Sequence, residues 1–289
     1  MLALELDGLA PLRSPVMLIA LGGLFDIAEV ATTALDTFAP ADTAITFGEI
    51  DPDPFYDFTQ ERPTVEIDEG DIRVIRWPEN RFDVVRSAGG SEVRDLVVLL
   101  GTEPHLAWPT YSACVIEVAR RLGCEAVVTL GAAAEAVPHT RPPMVSASTT
   151  DPELAGRLGI GQPTYQGVTG VIGVIQADLA AAGIPSVSLR VGIPHYLMNA
   201  EHPRALAALT THLAHVLGVP VPAEDPELAA EIPRWQALHD EVVEGDAQLQ
   251  FYLRLLEQDY DRRAEEAIPS ADDLGAQFEQ FLRDHRNDD

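Results

Sequence analysis

The sequence predicts an α/β fold with a parallel sheet, and three observations carry that expectation. Residues 95–100, DLVVLL, form a short apolar run ended by Gly101, the pattern of a strand buried on both faces. Residues 110–122 then set Tyr111, Val115, Val118, Ala119 and Leu122 at helical spacing, and Gly123 stops the helix. Residues 125–130 give a second β-branched run, closed by Gly131. Strand, helix and strand in this order make a βαβ unit, with parallel strands and a right-handed crossover. Ligands and partners of such sheets meet the loops at the carboxyl ends of the strands. Three Pro-His pairs fall in such loops: Pro104-His105, Pro138-His139 and Pro194-His195.

The remaining elements follow in chain order. Residues 1–14 read as a leader with a turn and an edge strand, and 15–20, PVMLIA, as the first central strand. A helix is expected over 26–38, with Ile27, Val30, Ala31, Ala34 and Leu35 on one face and Asp26 favouring its amino terminus. Gly22-Gly23 between them resembles a phosphate-binding turn, but neither G-x-G-x-x-G nor a P-loop is present. A strand is expected within 42–50. Residues 51–63 form a proline-broken aromatic loop that must pack on the body or form an interface. Phe55, Tyr56, Asp57, Phe58 and Arg62 are its candidate interface residues. A short hairpin follows around Glu69-Gly70, and residues 81–87 read as an exposed charged tract. Further on, 144–148 is a strand and 151–158 a helix capped by Asp151, with Pro152 at its first position. Gly167, Gly170 and Gly173 indicate close backbone packing at the start of a helix that runs to 182. The strand 186–191 and the helix 203–217, capped by Gly218, complete a compact domain over 1–222. Residues 223–289 read as a helical extension: 227–243, 246–267 and a last amphipathic helix over 271–283 with Leu274, Phe278, Phe281 and Leu282.

Composition narrows the function classes. The formal charge is −27, from 46 acids against 19 bases, which excludes nucleic acid and anionic membrane surfaces as general partners. No apolar run approaches the roughly 20 residues that span a bilayer, and no secretory pattern opens the chain, so the expected location is cytoplasmic. Cys114 and Cys124 read as small core residues.

Glu103, His105, His139, Arg141, His195 and Tyr196 are the candidate site, an acid–base cluster if the loops converge. The competing reading is that these polar loop residues satisfy backbone groups and hold neighbouring loops together. No zinc spacing and no nucleophile elbow occurs, so neither a metal nor a cofactor is expected.

The motif order Gly101-Thr102-Glu103-Pro104, Pro138-His139-Thr140-Arg141-Pro142, Tyr165-Gln166-Gly167 and Ile193-Pro194-His195-Tyr196, with Asp57-Phe58 and Arg62-Pro63, resembles the proteasome assembly chaperone 2 family in its actinobacterial branch. The resemblance spans about residues 15–222. It implies a three-layer α/β/α sandwich akin to phosphorylases and related hydrolases, a homo-oligomer, often a trimer, and protein clients such as proteasome subunits. Members that dock on proteasomes can end in a hydrophobic–tyrosine–any-residue tail. This sequence ends Arg286-Asn287-Asp288-Asp289, so docking by that route is not expected. Two function classes result: a protein-binding chaperone or adaptor, and a small-molecule binder or hydrolase- or phosphorylase-type enzyme using the loops at the strand ends.

Overall fold

A computed structural model describes residues 2–7, 9–40, 42–68, 72–87, 94–222 and 226–266. Its centre is β2 (Val16–Gly22), paired in parallel with β7 (Leu96–Thr102) on one side and β8 (Ala126–Glu135) on the other. Val16 to Leu21 are all buried, and their side chains alternate between two apolar cores. That is why the strand reads as a continuous apolar run and not as an alternation. β10 (Ser186–Pro194) extends the parallel part beside β8.

The sheet is finished by antiparallel strands. β9 (Val145–Ser148) closes the β10 side; on the other side β6 (Asn80–Val85), β3 (Ala44–Ile50) and β1 (Leu2–Leu4) follow β7 in turn. The described residues thus form an eight-stranded mixed sheet, β1-β3-β6-β7-β2-β8-β10-β9. A separate hairpin, β4 (Thr64–Asp68) with β5 (Ile72–Arg76), matches the hairpin expected from the sequence. Its Val65, Ile67 and Ile75 are exposed.

Helices cover both faces. α1 (Val30–Asp36) and α5 (Pro203–Leu217) bury Ala34, Leu35, Leu209 and Leu213 in the core that takes Leu18 and Val128. α2 (Trp108–Arg121) and α4 (Val171–Ala181) bury Tyr111, Val115, Ile175 and Leu179 in the other, with Met17 and Ile19. This is the expected three-layer arrangement. α3 (Pro152–Leu158) is capped as read: Asp151 Oδ1 accepts the Glu153 and Leu154 amides at 2.9 and 3.1 Å. Gly218, with φ 68°, ends α5 in the left-handed conformation glycine tolerates. Two more helices, α6 (Pro226–Glu244) and α7 (Ala247–Glu266), follow, and α6 packs on both α5 and α7. The helix expected over 271–283 lies outside the described residues.

Two local expectations are corrected. The first helix starts at Val30, because Ala28 and Glu29, within the short 3-10 turn Ile27–Glu29 that precedes it, take left-handed angles. Asp26 still caps it across that kink, accepting the Ala31 amide at 2.6 Å and the Thr32 hydroxyl at 2.5 Å. The tract at 81–87 is no exposed run: most of it is β6, wedged between β3 and β7. Its charges misled the reading because Asp83 is buried yet satisfied, by Arg81 at 2.8 Å and the Thr46 hydroxyl at 2.6 Å.

Candidate functional site

The six candidate residues separate into two groups, and no hydrogen bond or ring contact among the described residues joins them. The first group lies where β7 ends. Glu103 donates its amide to the Gly22 carbonyl (2.8 Å), and its carboxylate accepts amides from two other loops, Leu24 and Val171, both at 3.3 Å. Val171 opens α4, so the Glu103 carboxylate occupies the positive end of that helix. Gly23 and Gly170 allow this approach: a Cβ on either would come within about 3 Å of the Glu103 side chain. His105 Nδ1 accepts the Asp57 amide at 3.3 Å, while its own amide and that of Leu106 bind the Phe55 carbonyl.

These contacts fold the aromatic loop inward. Phe55 and Tyr56 are buried, Phe55 edge-on to Tyr111 at 5.5 Å, so these two leave the candidate interface set. The Tyr56 hydroxyl donates to the Thr102 carbonyl at 2.5 Å and takes a short bond from Asn80, which in turn accepts the Tyr111 hydroxyl at 2.8 Å. Burial pushes the Tyr56 phenol well above its ordinary value. Phe58 is half-buried, edge-on to Trp77 at 4.7 Å. Arg62 is exposed. Asp57 is held down at about 2, by the Thr59 hydroxyl first, then the Thr59 amide and Gln60.

The second group gathers His139, Arg141, His195 and Tyr196, after β8 and β10, and the carboxyl-terminal helices close over it. The Tyr196 hydroxyl accepts the His139 amide (2.9 Å) and lies 2.8 Å from His139 Nδ1. Asp240 Oδ1 of α6, 3.3 Å from Nε2, can only accept, so the imidazole proton belongs on Nε2 and Nδ1 accepts from the Tyr196 hydroxyl. Burial pushes the His139 ring below the usual histidine value against the opposing pull of Asp240. His195 is likewise fully engaged, Nδ1 with the Glu135 carbonyl and Nε2 with the Tyr252 hydroxyl of α7, both at 3.0 Å.

Arg141 grips α7. Its Nε and Nη2 donate to the two oxygens of Asp261, each at 2.8 Å, and Nη1 donates to Glu257 at 3.1 Å. The bidentate bond to Asp261 raises the Arg141 pKa further, and Arg141 lowers that of Asp261 in return. Thr140 donates its hydroxyl to the same Glu257 at 2.5 Å, and Tyr260 donates to the Pro142 carbonyl at 3.0 Å. Arg204 of α5 ties α6 in, bonding the His139 carbonyl and Gln236.

Little space is left. The cavity lined by His139, Arg141, His202, Arg204 and Trp235 holds about 20 Å³, room for a single water and not for a nucleoside. A larger cleft of about 590 Å³ lies elsewhere, between Leu2, Leu4, Pro54, Phe55, Thr110, Cys114 and Arg121, and no candidate histidine or carboxylate lines it. Among the described residues no cluster of three or more metal-binding side chains occurs, and no helix is long and apolar enough to cross a membrane.

Sequence reasoning missed Asp240, Glu257, Asp261 and Arg204. One signal was available: Glu257 and Asp261 fall four apart on the α7 face that carries Leu253, Leu256 and Tyr260, so the stripe pairs apolar residues with carboxylates.

The comparisons with known proteins agree with this architecture. The PAC2 family model matches residues 20–243. A PAC2 family protein of Streptomyces avermitilis is 36% identical, with TM-score 0.75 over 82% of this chain and 99% of its own. A proteasome-assembly chaperone homologue of Mycobacterium tuberculosis is 32% identical, with TM-score 0.73 over the same shares. A second M. tuberculosis protein, of unknown function, is 27% identical, with TM-score 0.73 over 92% of this chain and 90% of its own. No curated protein matches the chain. With the family model spanning most of the sequence and actinobacterial relatives sharing its fold above 30% identity, the chain belongs to the PAC2 family.

Proposed function

We propose that this chain is a protein-binding chaperone or adaptor without catalytic activity. The observation that carries the reading is the saturated loop site. Both ring nitrogens of His139 and of His195 are engaged by the chain itself, and the Arg141 guanidinium is matched by two carboxylates. General acid–base chemistry needs a group within reach of a substrate proton, and this site keeps about 20 Å³. Glu103 likewise fills the helix end that a phosphorylase-type site would offer to phosphate. The family relationship supports a protein partner, since one relative is described as a proteasome-assembly chaperone homologue. Proteasome subunits are the proposed clients. The reading also includes a cytoplasmic location, self-association as a trimer, and a family domain over 1–222 with a helical extension over 223–289.

Affinity capture of the tagged full-length chain from its own cells, with bound proteins identified by mass spectrometry, tests it. Stoichiometric recovery of proteasome subunits is the expected result. Recovery of the bait alone, together with a melting temperature raised by a nucleoside, inorganic phosphate or a phosphate ester, would overturn it in favour of the small-molecule reading. Light scattering on the purified chain tests the trimer separately.

A further inference from the structure

We propose that the Pro138–Pro142 loop surface is an acceptor for an acidic amphipathic helix of a partner protein, and that α7 occupies it in cis as a stand-in. The proposal rests on the protein-binding reading and names the chemistry of the partner.

The acceptor side is cationic and hydrogen-bonding in an otherwise acidic molecule. Arg141 offers a planar fork, Thr140 a hydroxyl, and His195 a ring nitrogen, all on the loops after β8 and β10. α7 answers them from one stripe at helical spacing: Tyr252 to His195, Glu257 to Thr140 and Arg141, Tyr260 to the Pro142 carbonyl, Asp261 to Arg141. Leu253 and Leu256 are buried in the middle of that stripe. The requirement on a partner is therefore a Leu-x-x-Leu pair flanked by carboxylates at the next position and four further on, with hydroxyls at the margins.

Two observations make the cis occupant exchangeable. The ionic contacts are partly solvated, Arg141, Glu257 and Asp261 being 33%, 23% and 48% exposed, so salt weakens even the bidentate grip on Asp261. In addition, α7 leaves Phe251 and Leu255 exposed, and α6 leaves Leu238 and Val242 exposed. Each pair is spaced four apart on its own helix, so each helix carries an apolar strip that the docked state does not cover. A partner helix that presents the same inner stripe would compete with α7 for Arg141, Thr140 and His195. The charge of −27 means that recognition here works at contact and not by long-range attraction.

The test is fluorescence anisotropy with a labelled synthetic peptide of residues 247–266 titrated into full-length chains. The Glu257→Gln/Asp261→Asn chain, its own helix weakened, is expected to bind the peptide at least about tenfold more tightly than wild type. Adding Arg141→Ala should remove that gain, and a peptide carrying both substitutions should not bind. No gain in the double variant, or a gain that survives Arg141→Ala, overturns the proposal. So does a wild-type dimer that refuses the peptide, which would assign the surface to helix exchange between copies. Hydrogen exchange on the unmodified chain gives an independent check: α7 amides should exchange well before those of β2 and β8, and exchange only together with the sheet would refute displacement. An empty lysate capture leaves this result standing, and a failed titration leaves the chaperone reading standing.

Discussion

Asn80 is fully buried at the start of β6, where its amide donates to the Tyr56 phenol and accepts from the Tyr111 phenol at 2.8 Å. Replacing it by alanine leaves the Tyr111 donor without an acceptor in a closed space. An Asn80→Ala chain should lose about 2–3 kcal/mol in a urea melt; a loss under about 0.5 kcal/mol would mean that the phenols find other partners. Histidines give a second residue-level prediction. Burial pushes His202 below its ordinary value of 6.5 despite its bond to the Leu197 carbonyl, with His239 adding to the effect. His139 is shifted the same way, by burial first. A histidine held down in the folded chain takes up its proton more readily when unfolded. Stability from such groups is present above pH 6.5 and drains as the pH falls through and below that value. Between about pH 7.5 and 5.5, wild type should lose more stability than a His202→Gln chain, measured by urea midpoints. Equal losses would reject the assignment.

At the scale of elements, the close fit of β7 to β6 depends on Gly101. A Cβ there would fall on the Glu79 carbonyl oxygen and the Asn80 side chain, and the backbone oxygen has nowhere to go. Gly101→Ala is expected to cost about 3 kcal/mol or more, or to abolish soluble expression, whereas Gly123→Ala, where a Cβ meets nothing within 4 Å, should cost only the strain of its positive φ, about 1 kcal/mol. Similar costs at the two glycines in parallel denaturant melts would contradict this. The sequence was readable where one physical rule dominated. β2, β7 and β8 are apolar runs, α5 carries a clean stripe with a glycine stop, and α3 announces itself by Asp151-Pro152. β6 was missed because Arg81 and Asp83 pair along the strand, and a reading of single residues sees two charges and not one neutralised contact. The candidate site was legible in part. Residues that share a sequence motif were placed together, but convergence is set by strand order: Glu103 follows β7, His139 follows β8 and His195 follows β10, and only the last two strands are neighbours. The helices that fill the site come from about a hundred residues later, with no local signal of where they dock.

For the whole molecule, a formal charge of −27 makes self-repulsion a standing cost of the compact state. Raising sodium chloride from about 10 mM to about 200 mM shortens the screening length severalfold. The global melting temperature should rise, while protection of α7 amides falls as its contacts to Arg141 are screened. A melting temperature that drops with salt would show that ion pairs outweigh repulsion. The strand order has a further consequence, for the making of the protein. Leu18 pairs with Val98 and Val128, so the most apolar strand leaves the ribosome 80 residues before its first neighbour in the sheet and 110 before its second. At roughly 5–20 residues per second, VMLIAL waits several seconds with both edges unpaired. During that window the exposed strand edges are open to aggregation. Truncations ending between β2 and β7 should be insoluble, and recovery should begin only once residue 135 has been made.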